Sequence, residues 1–136
     1  MTDCYLGLGT NLGDKEENIH RAITKIEALI GTVVRQSALY VTEPWGFQSA
    51  HTFLNAAVCC QTDKKPREVL QLTQQIEREL GRSHKSVNGE YHDRLIDIDI
   101  LLYGDEHIDE PDLKIPHPLM HERDFVMKPL NEIVRK

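Results

Sequence analysis

Asp97-Ile98-Asp99 is the pair of acidic residues whose spacing most directly suggests chemistry in this 136-residue sequence. Residues two apart in a strand share a face, so both carboxylates would project to one side with α-carbons about 6.5 Å apart. Anions that close repel one another and weaken the strand unless something neutralises them. A divalent cation does this. Magnesium takes one or two carboxylates together with phosphate oxygens and water, and a two-metal clamp holds its ions roughly 4 Å apart. Ile96, Ile98 and Ile100 belong to the opposite face. The plain alternative for an isolated D-x-D is an edge strand whose two aspartates are simply solvated.

Other residues could serve the same chemistry. Arg82, His84, Lys85, Arg94, His117, His121 and Arg123 fall in or beside loops flanking the aspartate strand. Arginine supplies forked contacts to a triphosphate, and lysine or histidine supplies point contacts. Scattered surface bases are the ordinary alternative. Trp45, Phe47, Phe53, Tyr91 and Phe125 offer flat rings for a heterocycle, although a single aromatic more often packs in a core. Asn55 shares a strand face with Phe53 and can donate and accept at once, which suits a heterocycle edge or equally a satisfied core amide. The run Gly7-Leu8-Gly9-Thr10-Asn11-Leu12-Gly13 joins a strand to a helix, but its G-x-G-x-x-x-G spacing is not the dinucleotide fingerprint, and no P-loop exists. It reads as a tight turn that backbone or ligand can approach closely, with Asn11 accommodating unusual dihedrals, or as a plain helix-leading turn.

These residues need elements to hold them. Cys4, Leu6 and Leu8 alternate as a strand. Asp14 and Glu17 have capping-box spacing ahead of an Ile19, Ala22, Ile23, Ile26, Ile30 stripe ending near Gly31. A second strand is predicted over Thr32 to Thr42, a loop over Glu43 to Thr52, and a third strand over Phe53 to Thr62. Pro66 opens a second helix, striped by Val69, Leu72, Thr73, Ile76 and Leu80 and closed by Gly81, with Gln74 and Glu77 together on another face. After a polar loop from Arg82 to Asp93, Leu95 to Tyr103 is the fourth strand. Pro111, Pro116 and Pro118 punctuate a loop that leads into short helical pieces. The order β-α-β-β-α-β predicts an α+β, ferredoxin-like antiparallel sheet with both helices on one face and the other face free for ligand.

Size and composition bound the rest. The chain fits one domain, 1–136, with an ordinary apolar fraction of 40% and charged fraction of 28%. Its formal charge of −6 and pI near 5.6 disfavour non-specific nucleic-acid or membrane binding, so any phosphate site must be a local basic cluster. No apolar run reaches the length of a membrane span and no basic leader opens the chain, so a cytoplasmic monomer with neither nucleic-acid nor membrane partner is expected. Cys4, Cys59 and Cys60 read as reduced structural thiols, the last two on opposite strand faces.

Several separated segments together carry a specific resemblance: Tyr5-Leu6-Gly7-Leu8-Gly9-Thr10-Asn11-Leu12-Gly13, Leu54-Asn55-Ala56-Ala57-Val58, Ile76-Glu77-Arg78-Glu79-Leu80-Gly81-Arg82, Arg94-Leu95-Ile96-Asp97-Ile98-Asp99-Ile100-Leu101, Ile115-Pro116-His117-Pro118-Leu119-Met120 and Arg123-Asp124-Phe125-Val126. Over essentially its whole length the sequence resembles the 6-hydroxymethyl-7,8-dihydropterin pyrophosphokinase family of folate biosynthesis. The resemblance implies attack of the pterin hydroxymethyl oxygen on the β-phosphorus of ATP, giving pterin diphosphate and AMP. It implies two magnesium ions on Asp97 and Asp99, with Arg82 and Arg94 grouped with them as catalytic. Thr42, Trp45, Phe53, Asn55 and Phe125 would surround the pterin, its ring stacked on Phe125. Gln74, Glu77, His84, Ile100, His117 and Arg123 would line the ATP site.

The chain also departs from the family pattern. Tyr91-His92-Asp93-Arg94 stands where many members have aromatic-Gly-Pro-Arg, which makes Tyr91 the candidate pterin-side lid aromatic. His84 replaces a second arginine, Asp112 a common basic residue, and Glu43 a common proline. Closure of the Glu43 to Thr52 and Arg82 to Asp93 loops is expected to exclude water. The rival classes are a D-x-D nucleotidyltransferase, in which attack falls on the α-phosphorus, and a ferredoxin-like ligand-binding module without catalysis.

Overall fold

The computed structural model describes residues 1–42, 52–81, 96–118 and 120–134. Strand β1 (Thr2–Thr10) leads into helix α1 (Lys15–Leu29), then β2 (Thr32–Gln36), β3 (Tyr40–Thr42), β4 (Phe53–Thr62), helix α2 (Pro66–Glu79) and β5 (Asp97–Tyr103). A small hairpin of β6 (Ile108–Glu110) and β7 (Leu113–Ile115), a 3₁₀ turn (Met120–Glu122) and helix α3 (Asp124–Ile133) follow. The main sheet runs β2-β4-β1-β5, with β3 also pairing β4. Every pairing in it is antiparallel.

Period-2 alternation explains which side of the sheet the helices occupy. Cys4, Leu6 and Leu8 of β1, Leu54, Ala56, Val58 and Cys60 of β4, and Ile98 and Ile100 of β5 all enter one core. Onto that face α1 packs Ile19, Ala22 and Ile26, and α2 packs Val69 and Ile76. Each such side chain contributes about 1.5–3 kcal/mol when fully buried. The helix starts are as the sequence predicts. Asp14 caps α1, its Oδ1 accepting from Glu17 N at 3.2 Å, and Pro66 occupies the first turn of α2. Gly31 allows the chain to turn closely past β4, since a Cβ there would lie 2.1 Å from the Gln61 carbonyl oxygen.

Three expectations change. The second strand is broken into β2 and β3, both on β4, with a register shift between Val33 and Arg35. Ser37 fills the break by exchanging bonds with β4: its N–H donates to Ala57 O and its Oγ accepts from Ala57 N, each at 2.9 Å. The loop beyond β5 contains the β6–β7 hairpin. Finally, the second sheet face is only partly free, because α3 and the 3₁₀ turn lay Met120, Leu130 and Ile133 against Tyr5, Ala57, Cys59 and Leu101. Polar contacts fasten the end of α3 to the sheet. Arg35 Nε donates to Ile133 O at 2.8 Å, Tyr40 Oη donates to Glu132 Oε2 at 2.9 Å, and Ala38 N donates to Glu132 Oε1. Cys59 and Cys60 do fall on opposite faces, in separate cores. No helix among the described residues is long and apolar enough to cross a membrane.

Candidate active site

The part of the α3 face that the described residues leave uncovered is built around two glycines. Gly9 pairs with Asn55 on one side and Asp97 on the other, and Gly7 pairs with Ala57 and Asp99. No β1 side chain therefore stands between the Asn55 amide and the Asp97 carboxylate. Neighbouring strands lie about 4.8 Å apart, so these two backbones are roughly 10 Å from one another across the central strand. Asp97 and Asp99 are half-buried, while Ile96, Ile98 and Ile100 between and beside them are buried. The predicted same-face placement of the two aspartates is thus what the alternation produces.

Asn55 is buried and held. Its Nδ2 donates to Thr42 Oγ1 at 2.5 Å, linking β4 to β3. An ideal Cβ on Gly9 would lie 3.1 Å from Asn55 Oδ1 and 3.8 Å from Phe53 Cδ1, so glycine leaves the amide and the ring the room they occupy. Thr42 and Phe53 are direct strand partners. Three of the predicted pterin residues, Thr42, Phe53 and Asn55, are therefore brought together.

On the other side of the face, His117 is drawn to β5 by its backbone N–H, which donates to Leu101 O at 3.1 Å. Burial is the main cause that pulls the His117 imidazole below its ordinary value of 6.5; the Arg123 cation adds to this, and the Asp97 carboxylate opposes it. His117 thus lies within electrostatic reach of both Arg123 and Asp97. Arg123 is buried just before α3, and its guanidinium carbon is 5.7 Å from the Phe125 ring centroid, inside cation–π range. Phe125 remains half-buried.

Gln74 and Glu77 separate. Gln74 is exposed, whereas Glu77 is buried and its Oε2 accepts from Ile98 N at 2.8 Å, on the outer edge of the aspartate strand. Ile100 also departs from its assigned place: its side chain lies in the helix-side core, because its position in the alternation is opposite to that of the aspartates. Asp112 is paired with Arg67 through contacts of 2.8 and 3.0 Å, and the arginine holds the Asp112 carboxyl below its usual range. Arg82, His84, Tyr91, Arg94 and Trp45 lie outside the described residues, as do residues 43–51 and 82–93 of the two segments expected to close.

The turn between β1 and α1 carries buried polar contacts beyond the turn role expected of Asn11. Thr10 and Asn11 are fully buried, and Asn18 Nδ2 donates to Leu12 O at 2.8 Å and Thr10 Oγ1 at 3.1 Å. The available signal was a cluster of small polar side chains between a buried strand and an apolar helix stripe.

Comparison with known proteins identifies the family. A family model described as 7,8-dihydro-6-hydroxymethylpterin-pyrophosphokinase (HPPK) matches residues 5–135. A Porphyromonas gingivalis protein named 2-amino-4-hydroxy-6-hydroxymethyldihydropteridine pyrophosphokinase is 48% identical over 134 residues, covering 98% of this chain and 91% of the relative. The Bacillus subtilis protein of the same name is 42% identical over 133 residues, covering 97% of this chain and 78% of the relative. The solved structure of Plasmodium falciparum HPPK-DHPS shares the fold with a TM-score of 0.79 at 17% identity; the match covers 98% of this chain but only 42% of that longer one. The class is that of the pyrophosphokinases, transferases that move a diphosphate group as a unit. Within it, this chain belongs to the HPPK family.

Proposed function

We propose that this chain transfers the β,γ-diphosphate of ATP to the hydroxymethyl oxygen of 6-hydroxymethyl-7,8-dihydropterin, giving the pterin diphosphate and AMP. The observation that carries this reading is Asp97 across Gly9 from the fixed Asn55 amide, with Asp99 beside Gly7 on the same face, in a chain of this family. The new bond joins the pterin oxygen to the β-phosphorus. The bond broken links that phosphorus to the oxygen bridging to the α-phosphorus, so AMP leaves and the hydroxyl proton is released.

Two half-buried carboxylates on one face, with only glycine beside them on β1, form a donor set that suits magnesium bound jointly by protein and phosphate oxygens. We assign two ions to them. When bound, the metal supplies charge neutralisation for the diphosphate. The chain's own residues supply position. Thr42 fixes the Asn55 amide so that it can read the heterocycle edge, and Phe53 and Phe125 provide ring surfaces. Arg123 and His117 face the anionic side near Asp97, and a His117 biased toward its neutral form serves as a hydrogen-bonding group more than as a cation. Arg82, Arg94, His84 and Gln74 complete the ATP side, with Tyr91 and Trp45 on the pterin side. With its side chain in the core, Ile100 can contribute only backbone groups.

With β2 and β3 taken as one interrupted strand, the sheet order supports reading this domain as ferredoxin-like, and we read it as a cytoplasmic monomer. The test is to incubate protein, magnesium, ATP and the pterin alcohol and identify the nucleotide formed. AMP with pterin diphosphate supports the reading. Inorganic pyrophosphate with an adenylylated product would replace it with nucleotidyl transfer, and an unchanged nucleotide would replace it with a binding module.

A further inference from the structure

We infer that Lys15 is a positioning residue for the pterin-side wall, an assignment that rests on the function proposed above. Lys15 is the first residue of α1, immediately after the capping Asp14. A cation there opposes the helix dipole, so helix formation gives no reason for it. Its ammonium instead crosses to the start of β4, where Nζ donates to Thr52 O at 2.9 Å and to Thr52 Oγ1 at 3.4 Å. Both residues are half-buried, which strengthens a charge-assisted bond relative to one in open water.

The consequence is geometric. Thr52 directly precedes Phe53, the partner of Thr42, and lies three residues before Asn55, the partner of Gly9. The turn that carries Lys15 is itself fixed, because Asn18 ties Thr10 and Leu12 to α1 and because Thr10 pairs with Leu54. Lys15 therefore closes a ring of contacts that runs from β1 through α1 to Thr52 and back along β4 to the Gly9–Asn55 pair. Without the ammonium, the first residues of β4 lose one anchor at the end where their strand pairings begin. The Phe53 ring and the Asn55 amide then sample more positions, and a ligand that must meet both is bound less tightly. The aspartate strand is on the far side of β1 and has no part in this ring.

The experiment compares wild type, Lys15→Met and Lys15→Arg as full chains. Amide hydrogen exchange at residues 53–55 is measured without ligand, and equilibrium affinities are measured for the pterin alcohol and, separately, for a magnesium–ATP analogue. Lys15→Met is expected to speed exchange at these amides and weaken pterin binding about fivefold, a fraction of the roughly tenfold or more that one charge-assisted bond is worth. Affinity for the ATP analogue should be unchanged, and Lys15→Arg should restore both affected quantities. Unchanged exchange in Lys15→Met overturns the inference whatever the ligand does. Faster exchange with unchanged pterin affinity reduces the contact to local stability and also overturns it. Equal loss of pterin and ATP-analogue affinity would show a general loosening instead. Failure of wild type to bind the pterin would overturn the proposed function, and the inference with it, and wild type alone reports that outcome.

Discussion

The face of the sheet that turns away from α1 and α2 has two halves, made by the same three strands. In one, β1 contributes Gly7 and Gly9, and its neighbours contribute Asn55, Asp97 and Asp99. In the other, β1 contributes Tyr5, its neighbours contribute Ala57, Cys59 and Leu101, and α3 closes over them. Strand geometry is common to both halves. What differs is side-chain chemistry: among the described residues nothing packs over the first half, whereas the second is the floor of a small core. The comparison teaches that α3 does more than end the chain. By filling one half it leaves the other, which carries Asp97 and Asp99, as the candidate ligand face.

The largest effect should come from removing an acid in the uncovered half. Asp97→Ala is expected to lower AMP formation about a thousandfold or more, the order expected when a metal-assisted charge clamp is lost, with little change in melting. Activity within tenfold of wild type would erase the distinction between the halves. Leu130→Ala should do the reverse, destabilising the protein by roughly 2–5 kcal/mol in urea unfolding while folded molecules keep their turnover. If turnover per folded molecule fell as steeply as with Asp97→Ala, the halves would be one cooperative site. A smaller change is expected from Gly9→Ala, whose added methyl meets Asn55 Oδ1 at 3.1 Å. A displacement of a few tenths of an ångström should raise the KM for pterin about tenfold and leave that for ATP alone; equal changes in both would contradict the assignment of Asn55 to the pterin.

The smallest effect lies outside both halves and calibrates them. The folded-state value of Asp112 is depressed, chiefly by its bond to Arg67, below the ordinary 3.8. The unfolded chain therefore binds more protons in that window. The resulting stability is present above pH 3.8 and is lost as pH falls through the folded value. Arg67→Met should flatten this part of the acid-unfolding curve and leave turnover at neutral pH unchanged. An identical acid curve in the variant would show that the pair is energetically idle, as exposed ion pairs often are.

Much of this was legible in the sequence because it depends on short-range rules. The Asp97/Asp99 face, the Cys59/Cys60 split, the Asp14 cap and the Pro66 start need only strand or helix periodicity and end chemistry. The break at Ser37 was hidden because its cause, the bond exchange with Ala57, lies 20 residues away. The β6–β7 strands were hidden because three residues each are too few to show a period. Pro129 inside α3 disguised a continuous ten-residue helix as short pieces. The same limit applied at the site: Gln74 and Glu77 share spacing on a helix, but only the sheet edge determines which of them is drawn inward.

That edge has one more consequence, for life in a concentrated solution. β5 is the last strand of the main sheet, and an outermost strand presents backbone donors on which a stray strand could assemble. Glu77 occupies one of those donors from within, at Ile98, in the middle of the segment bearing both aspartates. A second copy extending the sheet there would have to displace the Glu77 carboxyl from Ile98 N, so the group that steadies the acidic strand also hinders pairing at that donor.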